Sequence, residues 1–324
     1  MSDAILRCDN TRVYPIGDAQ PQHLAAVGNG QGLLSHMGRG QHKKRVPLRV
    51  GSWNIRTMTE RGAELADTLR RRRVNIACLQ ETKWKGAKAK EIVRCIEFTG
   101  WMSRQLMSIK TSKNCFRILE DKRIDIVIVN RVNDRLILVK LSIGELIINV
   151  ISAYALQVGV DAGVKKQFWE DLATIMTEIP TDEEIFIGAD FNGHVGKNNA
   201  GYERVHGGKG FGGRNFEAAC VLQMATAYDL VVVSTYFDKC EEHLIIYNSR
   251  DHKSQIDYLL TRWTTLKRIK DCKVIPGDDL TSQHRFLVME LNKMKNGKSV
   301  GPDYIPIEIW KVLGEEGRDW MGMD

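Results

Sequence analysis

Apolar and polar positions alternate along the chain in segments that favour strands and helices in turn. Runs of β-branched and aliphatic residues bounded by turn-forming residues predict strands. The predicted strands cover residues 48–54, 74–81, 124–129, 135–141, 146–154, 185–190, 254–260 and 286–291. The three runs between Arg123 and Ala153 follow one another closely, so we expect neighbouring antiparallel strands joined by turns at Asn133-Asp134 and 142–145.

Between these runs, apolar residues three or four positions apart predict amphipathic helices. The predicted helical faces are Leu65 with Leu69, then Val164, Phe168, Leu172 and Ile175, and then Ala218, Val221, Leu222 and Ala225. Arg70–Arg73 would close the first helix with charges that suit a helix C-terminus. Strands and helices mixed in this way predict an α/β sandwich with mixed sheets.

Several apolar runs end at, or carry, one polar residue of a type that binds metal or phosphate. Asp190 and Asn192 follow the run that begins at Ile185, and Gly193 and Gly196 then force a turn. A rigid strand would fix both side chains while the loop leaves them open to a ligand. Alone, such a pair is typical of a turn that caps a strand. The other runs supply the same kind of residue at Asn54, Glu81, Tyr154, Asp257 and His284, which favours a shared site.

Composition narrows the class of protein without identifying it. The chain of 324 residues is 43% hydrophobic and 27% charged, as in an ordinary globular protein. No apolar run is long enough to predict a membrane span. The seven cysteines form no C-x-x-C pair, so we expect a reducing, intracellular setting and no zinc site. A net charge of +7 is compatible with a polyanionic partner.

Six short motifs occur in the order found in one known family. They are Trp53-Asn-Ile-Arg56, Gln80-Glu-Thr-Lys83, Ser152-Ala-Tyr-Ala155, Gly188-Ala-Asp-Phe-Asn-Gly193, Ser254-Gln-Ile-Asp-Tyr258 and Ser282-Gln-His284. In these motifs the chain resembles the endonuclease/exonuclease/phosphatase family of apurinic endonucleases and DNase I. It is most similar to the endonuclease domain of RTE (BovB-type) non-LTR retrotransposons. The resemblance implies a DNase I-like, four-layer α/β sandwich with two mixed β-sheets.

The resemblance also implies a role for each strand-end residue. Glu81 with Asn54 would hold Mg²⁺, for which Mn²⁺ is a possible substitute; hard oxygen ligands suit such ions. Asp190 and Asn192 would orient the attacking water and contact phosphate. His284, paired with Asp257, would stabilise charge on the scissile phosphate, and Tyr154 would donate its hydroxyl hydrogen. The remaining residues assigned to phosphate or DNA contact are Asn215, Lys83 and Lys85.

The function implied by the resemblance is Mg²⁺-dependent endonucleolytic nicking of one DNA strand, which leaves a 3′-hydroxyl. Two alternatives stay open: an apurinic-type endonuclease or small phosphoesterase on the same site, and a catalytically silent DNA-binding relic. Gln283 stands where apurinic endonucleases have Asp, which argues against abasic-site repair. Leu156 replaces a Pro of the family, and we expect the bulky Cys115 and Phe116 to disturb packing where the family has small residues.

The expected domain organisation has three parts. Residues 1–45 lack periodicity and predict a disordered segment, and residues 46–292 form the endonuclease domain. Residues 293–324 resemble the entry segment of the retrotransposon's reverse transcriptase, of which they would be a truncated remnant. We expect a monomer that acts on DNA in the nucleus, away from membranes.

Overall fold

The structure, a computed structural model, describes residues 47–83, 92–97, 104–111, 113–119, 124–249, 252–277 and 283–292. Its strands are β1 Leu48–Asn54, β2 Ile76–Gln80, β3 Ile92–Glu97, β4 Arg104–Lys110, β5 Asn114–Leu119, β6 Ile124–Asn133, β7 Leu136–Ile143, β8 Leu146–Tyr154, β9 Glu184–Asp190, β10 Leu230–Val232, β11 Tyr247–Ser249, β12 His252–Ser254, β13 Asp257–Arg262, β14 Ile269–Ile275 and β15 Phe286–Leu291. Its helices are α1 Gly62–Arg71, α2 Ala162–Glu178, α3 Phe216–Ala227 and α4 Trp263–Leu266. Two 3₁₀ turns cover Val233–Tyr236 and Glu241–His243.

Sheet 1 has seven strands in the order β14-β15-β1-β2-β5-β4-β3. Only β1 and β2 run parallel, with Asn54 opposite Gln80, and the other neighbours are antiparallel. The parallel pair is possible because α1 carries the chain back across the sheet between the two strands. The strands that end at Asn54 and before Glu81 therefore lie side by side in the middle of the sheet.

Sheet 2 has six strands in the order β10-β13-β9-β8-β7-β6. Strands β6, β7 and β8 form the antiparallel meander expected from the sequence. Strand β8 then pairs in parallel with β9, which is possible because α2 connects them. Strand β13 adds antiparallel to the other edge of β9. Both sheets are mixed, as predicted.

Three clusters of buried side chains separate four layers. One cluster packs α1 against the outer face of sheet 1, and a second fills the space between the sheets. The third packs α2 and α3 against the outer face of sheet 2. Between the sheets the backbones approach closely at Gly188, where an added Cβ would lie 2.7 Å from the Cβ of Cys78. The predicted four-layer α/β sandwich is confirmed.

The residues predicted to form the buried faces of the helices are buried, with one exception. Leu65 and Leu69 of α1, and Phe168 and Leu172 of α2, are buried as expected. Val164 was predicted on the buried face of α2 and is 50% exposed. It lies in the first turn, whose N-cap is Asp161, and this turn projects beyond the edge of the core that the rest of the helix covers.

The expectation that Cys115 and Phe116 disturb packing is wrong. Both side chains are fully buried, Cys115 beneath α1 and Phe116 between the sheets, because successive residues of β5 point to opposite faces. Leu156 is also buried in the core. In the part of the chain that the structure describes, no helix has the length and apolar character needed to cross a membrane. The segments 1–45 and 293–324 lie outside the described residues.

Candidate active site

The strand registers bring the predicted residues to one edge of the sandwich. In sheet 2, Tyr154 pairs with Asp190 across β8 and β9, and Asp190 pairs with Asp257 across β9 and β13. In sheet 1, Asn54 ends β1 and Glu81 directly follows β2. The two sheets face each other, so the ends of five central strands line one pocket.

Asn54 joins the two sheets at this pocket. Its Nδ2 donates hydrogen bonds to Glu81 Oε1 and to Asp190 Oδ2, each at 2.9 Å. Its Oδ1 accepts from the backbone N–H of Arg56 at 3.0 Å, which fixes the orientation of the amide because a reversed amide would place two donors together. One fully buried amide therefore holds two carboxylates, one from each half of the fold.

Glu81 is held in its ionised form by its neighbours. Burial raises its pKa, but the hydrogen bonds from Asn54 and Tyr154 outweigh burial and bring the pKa below its ordinary value. The Tyr154 hydroxyl donates to Glu81 Oε1 at 2.7 Å. Burial and this carboxylate raise the pKa of Tyr154 well above its usual range, so the phenol keeps its proton.

Asp190 and Asp257 are both buried, and one charge disfavours the other. Burial first, and the Asp257 carboxylate second, raise the pKa of Asp190 to about 7, against the opposing effects of His284 and Asn54. Asp257 Oδ2 lies 3.2 Å from His284 Nδ1, and Asp257 Oδ1 is buried without a hydrogen-bond partner in the described part of the chain. One oxygen or nitrogen from each of these three side chains lies within 4.8 Å of the others.

His284 is supported on several sides. Burial lowers its pKa, but the Asp257 carboxylate and its hydrogen bond outweigh burial and raise the pKa above the ordinary value. The ring of Tyr247 meets the imidazole edge-to-face, with centroids 5.1 Å apart. Trp53 Nε1 donates to the His284 carbonyl at 3.1 Å, and the Trp53 ring stacks on Phe286 at 4.8 Å. Neither contact was predicted from the sequence: Trp53 lies inside a motif, which was an available signal, whereas Tyr247 lies outside all six motifs.

The loop after β9 places Asn192 beside Asp190. The backbone N–H of Asn192 donates to Asp190 Oδ1 at 3.0 Å, and its Nδ2 donates to the Ala155 carbonyl at 3.1 Å. Asn192 adopts the left-handed backbone region (φ 51°), as do Glu81 (φ 53°) and Lys83 (φ 47°). Non-glycine residues pay a strain energy there, and such residues cluster at functional sites.

The three residues predicted to contact phosphate or DNA differ in what the structure shows of them. Asn215 caps α3: its Oδ1 accepts from the backbone N–H groups of Ala218 and His194. This ties α3 to the loop that carries Asn192. Lys83 is exposed, with Nζ 3.8 Å from Glu81 Oε2. Lys85 lies outside the described residues, and all three roles stay predictions.

Beneath the pocket, Gln80 links the sheets a second time. Its Nε2 donates to the Gly188 carbonyl at 3.2 Å and lies 3.3 Å from Ser52 Oγ and 3.5 Å from Ser152 Oγ. From the sequence, Gln80 was named only as part of a motif, with no predicted role of its own. Gln80 directly precedes Glu81 in the chain, and its amide lies between the sheets beneath the pocket.

The donor set fits a hard divalent cation. Glu81 and Asp190 present carboxylate oxygens to the same amide, Glu81 is ionised, and Asp257 carries a buried oxygen without a partner among the described residues. Carboxylate and amide oxygens are the ligands that Mg²⁺ prefers, usually with several waters retained. His284 Nδ1 is directed at Asp257 and the Asn54 oxygen accepts from the Arg56 N–H, so the carboxylate oxygens of Glu81 and Asp190 are the better placed ligands in this structure.

Comparison with known proteins gives related sequences and folds. No family model matches the chain. It is 26% identical over 245 residues to craniofacial development protein 2 of Bos taurus, an alignment that covers 74% of this chain and 40% of the relative. The chain spans about two fifths of the length of the curated relatives it matches.

Solved structures share the fold at lower identity. The endonuclease domain of TRAS1, a telomere-specific non-LTR retrotransposon, superposes with a TM-score of 0.54 at 16% identity, covering 77% of this chain and all of that domain. An AP endonuclease from Archaeoglobus fulgidus gives a TM-score of 0.54 at 18% identity over 75% of this chain and 99% of its own. The resemblance stated from the motifs is thereby confirmed at the level of the fold: the chain has the DNase I-like fold of these endonucleases and is similar in sequence to craniofacial development protein 2.

Proposed function

We propose that this chain is a Mg²⁺-dependent endonuclease that hydrolyses DNA phosphodiester bonds, nicking one strand to leave a 3′-hydroxyl and a 5′-phosphate. The observation that carries the proposal is the convergence of Glu81, Asp190, Asp257 and His284 in one pocket through the bridging amide of Asn54. Solved structures with the same fold include a retrotransposon endonuclease and AP endonucleases, which supports a nuclease of this general kind.

Glu81 would hold the ion, and the Asn54 oxygen would join it once the amide turns away from the Arg56 N–H that now binds it. When bound, Mg²⁺ would offset the negative charge of the phosphate and of the leaving oxygen. The left-handed backbone at Glu81 directs its carboxylate out of the strand and into the pocket. The Tyr154 hydroxyl and the Asn54 amide fix that carboxylate from two directions, so little reorganisation is needed at the moment of reaction.

Asp190 is the group that would take a proton from the attacking water. A pKa of about 7 lets this carboxylate accept a proton near neutral pH, where an ordinary aspartate is too weak a base. Asn192 positions Asp190 through its backbone N–H, and its own side chain lies beside the same pocket. Burial, and after it the Asp257 carboxylate, which together raise the pKa of Asp190, are thus part of the proposed chemistry.

His284 and Tyr154 would stabilise negative charge on the substrate. Asp257 favours the charged imidazolium, which is a suitable partner for a phosphate oxygen. Tyr154 keeps its proton, which it donates to Glu81 in this structure and would redirect to phosphate or to the leaving oxygen when substrate binds. Tyr154 pairs with Asp190 in sheet 2, and His284, just before β15 of sheet 1, meets Asp257 beside them.

Plasmid relaxation tests the proposal. With Mg²⁺, wild type should convert supercoiled plasmid to nicked circles, and Glu81→Gln and Asp190→Asn should each slow this conversion by at least about a hundredfold. Asp238→Asn, a carboxylate change at a position 83% exposed, should nick as wild type does. Equal nicking by wild type, Glu81→Gln and Asp190→Asn would overturn the assignment.

Two further measurements separate the alternatives. Cleavage of an abasic duplex faster than an intact one by orders of magnitude would point to an apurinic-type endonuclease. Salt-sensitive DNA binding without Mg²⁺-dependent cleavage would point to a silent DNA-binding relic. The proposed setting is nuclear, with the domain derived from a non-LTR retrotransposon.

A further inference from the structure

An apolar surface lies at the N-terminal ends of α2 and α3. Phe216, the first residue of α3, is 75% exposed, and Val164 in the first turn of α2 is 50% exposed. An ion pair between Lys165 and Glu217 (3.5 Å) joins the two helix ends, which brings these two apolar residues to neighbouring parts of the surface. Large exposed apolar side chains grouped in this way are typical of interaction sites.

This surface is joined directly to the candidate active site. Asn215 exchanges two hydrogen bonds with His194, accepting from its N–H at 2.8 Å and donating its own N–H to the His194 carbonyl at 3.0 Å. Gly193 packs so tightly against α3 that an added Cβ would lie 2.9 Å from the Ala218 nitrogen. Phe216 therefore stands beside the loop that carries Asn192, on the rigid start of a helix.

Two exposed cations lie in the loops next to Phe216. Arg214 precedes it by two residues, and its guanidinium lies 4.9 Å over the ring of Tyr202. The same guanidinium donates to the carbonyls of Val195 and Asn198 in the adjoining loop, to which Lys197 also belongs. The two loops touch, since an added Cβ on Gly196 would lie 2.7 Å from the Arg214 nitrogen. Neither cation forms an ion pair within the described ranges. The surface thus offers an aromatic face with positive charge on one side.

We propose that this surface binds DNA beside the scissile phosphate, with an unpaired base stacked on Phe216 and backbone phosphates against Lys197 and Arg214. The identity of the polymer rests on the proposed nuclease function. An aromatic platform next to cations is the combination that binds single-stranded nucleic acid, because the base supplies a π-face and the backbone supplies charge. A fully paired duplex hides its base faces, so DNA with an unpaired base near the cleavage site is the preferred substrate.

A binding assay without metal tests this preference. The probe is a fluorescein-labelled duplex with one central unpaired 2-aminopurine, compared with the fully paired duplex, at fixed salt with EDTA so that no cleavage occurs. Phe216→Ala should weaken binding of the bulged duplex about tenfold and leave the paired duplex within about twofold. Phe216→Trp should retain wild-type affinity and quench the 2-aminopurine. Val132→Ala, an exposed apolar position on β6, is the matched control.

Each outcome is decisive. Equal affinity of wild type and Phe216→Ala for the bulged duplex, or no binding by wild type, overturns the stacking surface. The nuclease proposal is judged separately by plasmid relaxation. If wild type nicks plasmid and Phe216→Ala binds the bulged duplex as wild type does, the stacking surface is wrong and the nuclease proposal stands. If Phe216→Ala loses binding and wild type does not nick plasmid, the stacking surface stands and the nuclease proposal is wrong.

Discussion

Asp190 and Asp257 stand directly opposite each other on the antiparallel strands β9 and β13, and both side chains are buried. Two carboxylates in this arrangement cannot both ionise without cost, because burial removes the water that would screen them. The fold tolerates the pair because Asn54 donates to one carboxylate and His284 lies against the other.

The first prediction concerns the pH dependence of stability without metal. The pKa of Asp190 is raised to about 7 in the folded state, so the folded protein holds this proton more tightly than the unfolded chain does. The contribution of Asp190 to the free energy of unfolding is therefore present at acidic pH and is lost as pH rises from about 4 through about 7. Asp190→Asn removes the dependence. Thermal unfolding in EDTA should show wild type losing stability relative to the variant between about pH 4 and pH 8; parallel curves would contradict the assignment.

The second prediction concerns the bridging amide. Asn54→Ala leaves Glu81 and Asp190 without their shared donor, so the free energy of unfolding should fall by roughly 1–3 kcal/mol. Asn54→Asp should cost more, because it adds a third carboxylate. Urea unfolding measures the change, with Asn130→Ala, an exposed position on β6, as the control. An unchanged urea midpoint in Asn54→Ala would show that the Asn54 amide does not stabilise the fold.

The third prediction concerns a buried charge outside the site. Arg117 on β5 is 4% exposed, and its Nε and Nη1 have no hydrogen-bond partner in the described part of the chain. Its Nη2 donates to Met58 Sδ at 3.9 Å, a weak acceptor. A buried charge satisfied this weakly destabilises a fold, so Arg117→Met should raise the free energy of unfolding by roughly 1–3 kcal/mol. Arg49→Met is the opposite case, since Arg49 binds Glu290 through two nitrogens, and it should destabilise. Destabilisation by both changes would show that Arg117 is satisfied.

The fourth prediction concerns metal binding. Mg²⁺ should raise the melting temperature of wild type by an amount that grows with its concentration, because the ion binds only the folded state. Glu81→Gln keeps an oxygen that can accept from Asn54 and Tyr154 but removes the charge, so this rise should disappear. Differential scanning fluorimetry with Asp238→Asn as the control measures it. A rise of equal size in Glu81→Gln would place the ion elsewhere.

Much of the fold followed from the sequence because long apolar runs have one stable arrangement. The bounds predicted for β1 and β8 agree with the structure residue for residue, and the meander β6–β8 was correctly paired. Strands β3, β4 and β14 were not predicted. In β14 charged and apolar residues alternate, and a strand of that kind is recognised only when its neighbour β15 is known.

The site was predicted less completely than the fold. The sequence placed Asn54, Glu81 and Asp190 at strand ends and Asp257 inside an apolar run, but which donor meets which acceptor depends on the distance between two sheets. No local pattern specifies that distance. For the same reason the support of His284 by Tyr247, from a short hairpin strand, could not be read from spacing alone.

The close approach of Gly188 to Cys78 bears on the reaction as well as on packing. Gly188 lies two residues before Asp190, and Gln80, whose amide also reaches the Gly188 carbonyl, lies one residue before Glu81. A methyl group at position 188 would act as a wedge and lengthen the span from Asn54 to Asp190, which a single hydrogen bond now covers. A buried substitution at this position would then abolish the proposed nicking without removing any of the groups assigned to the reaction.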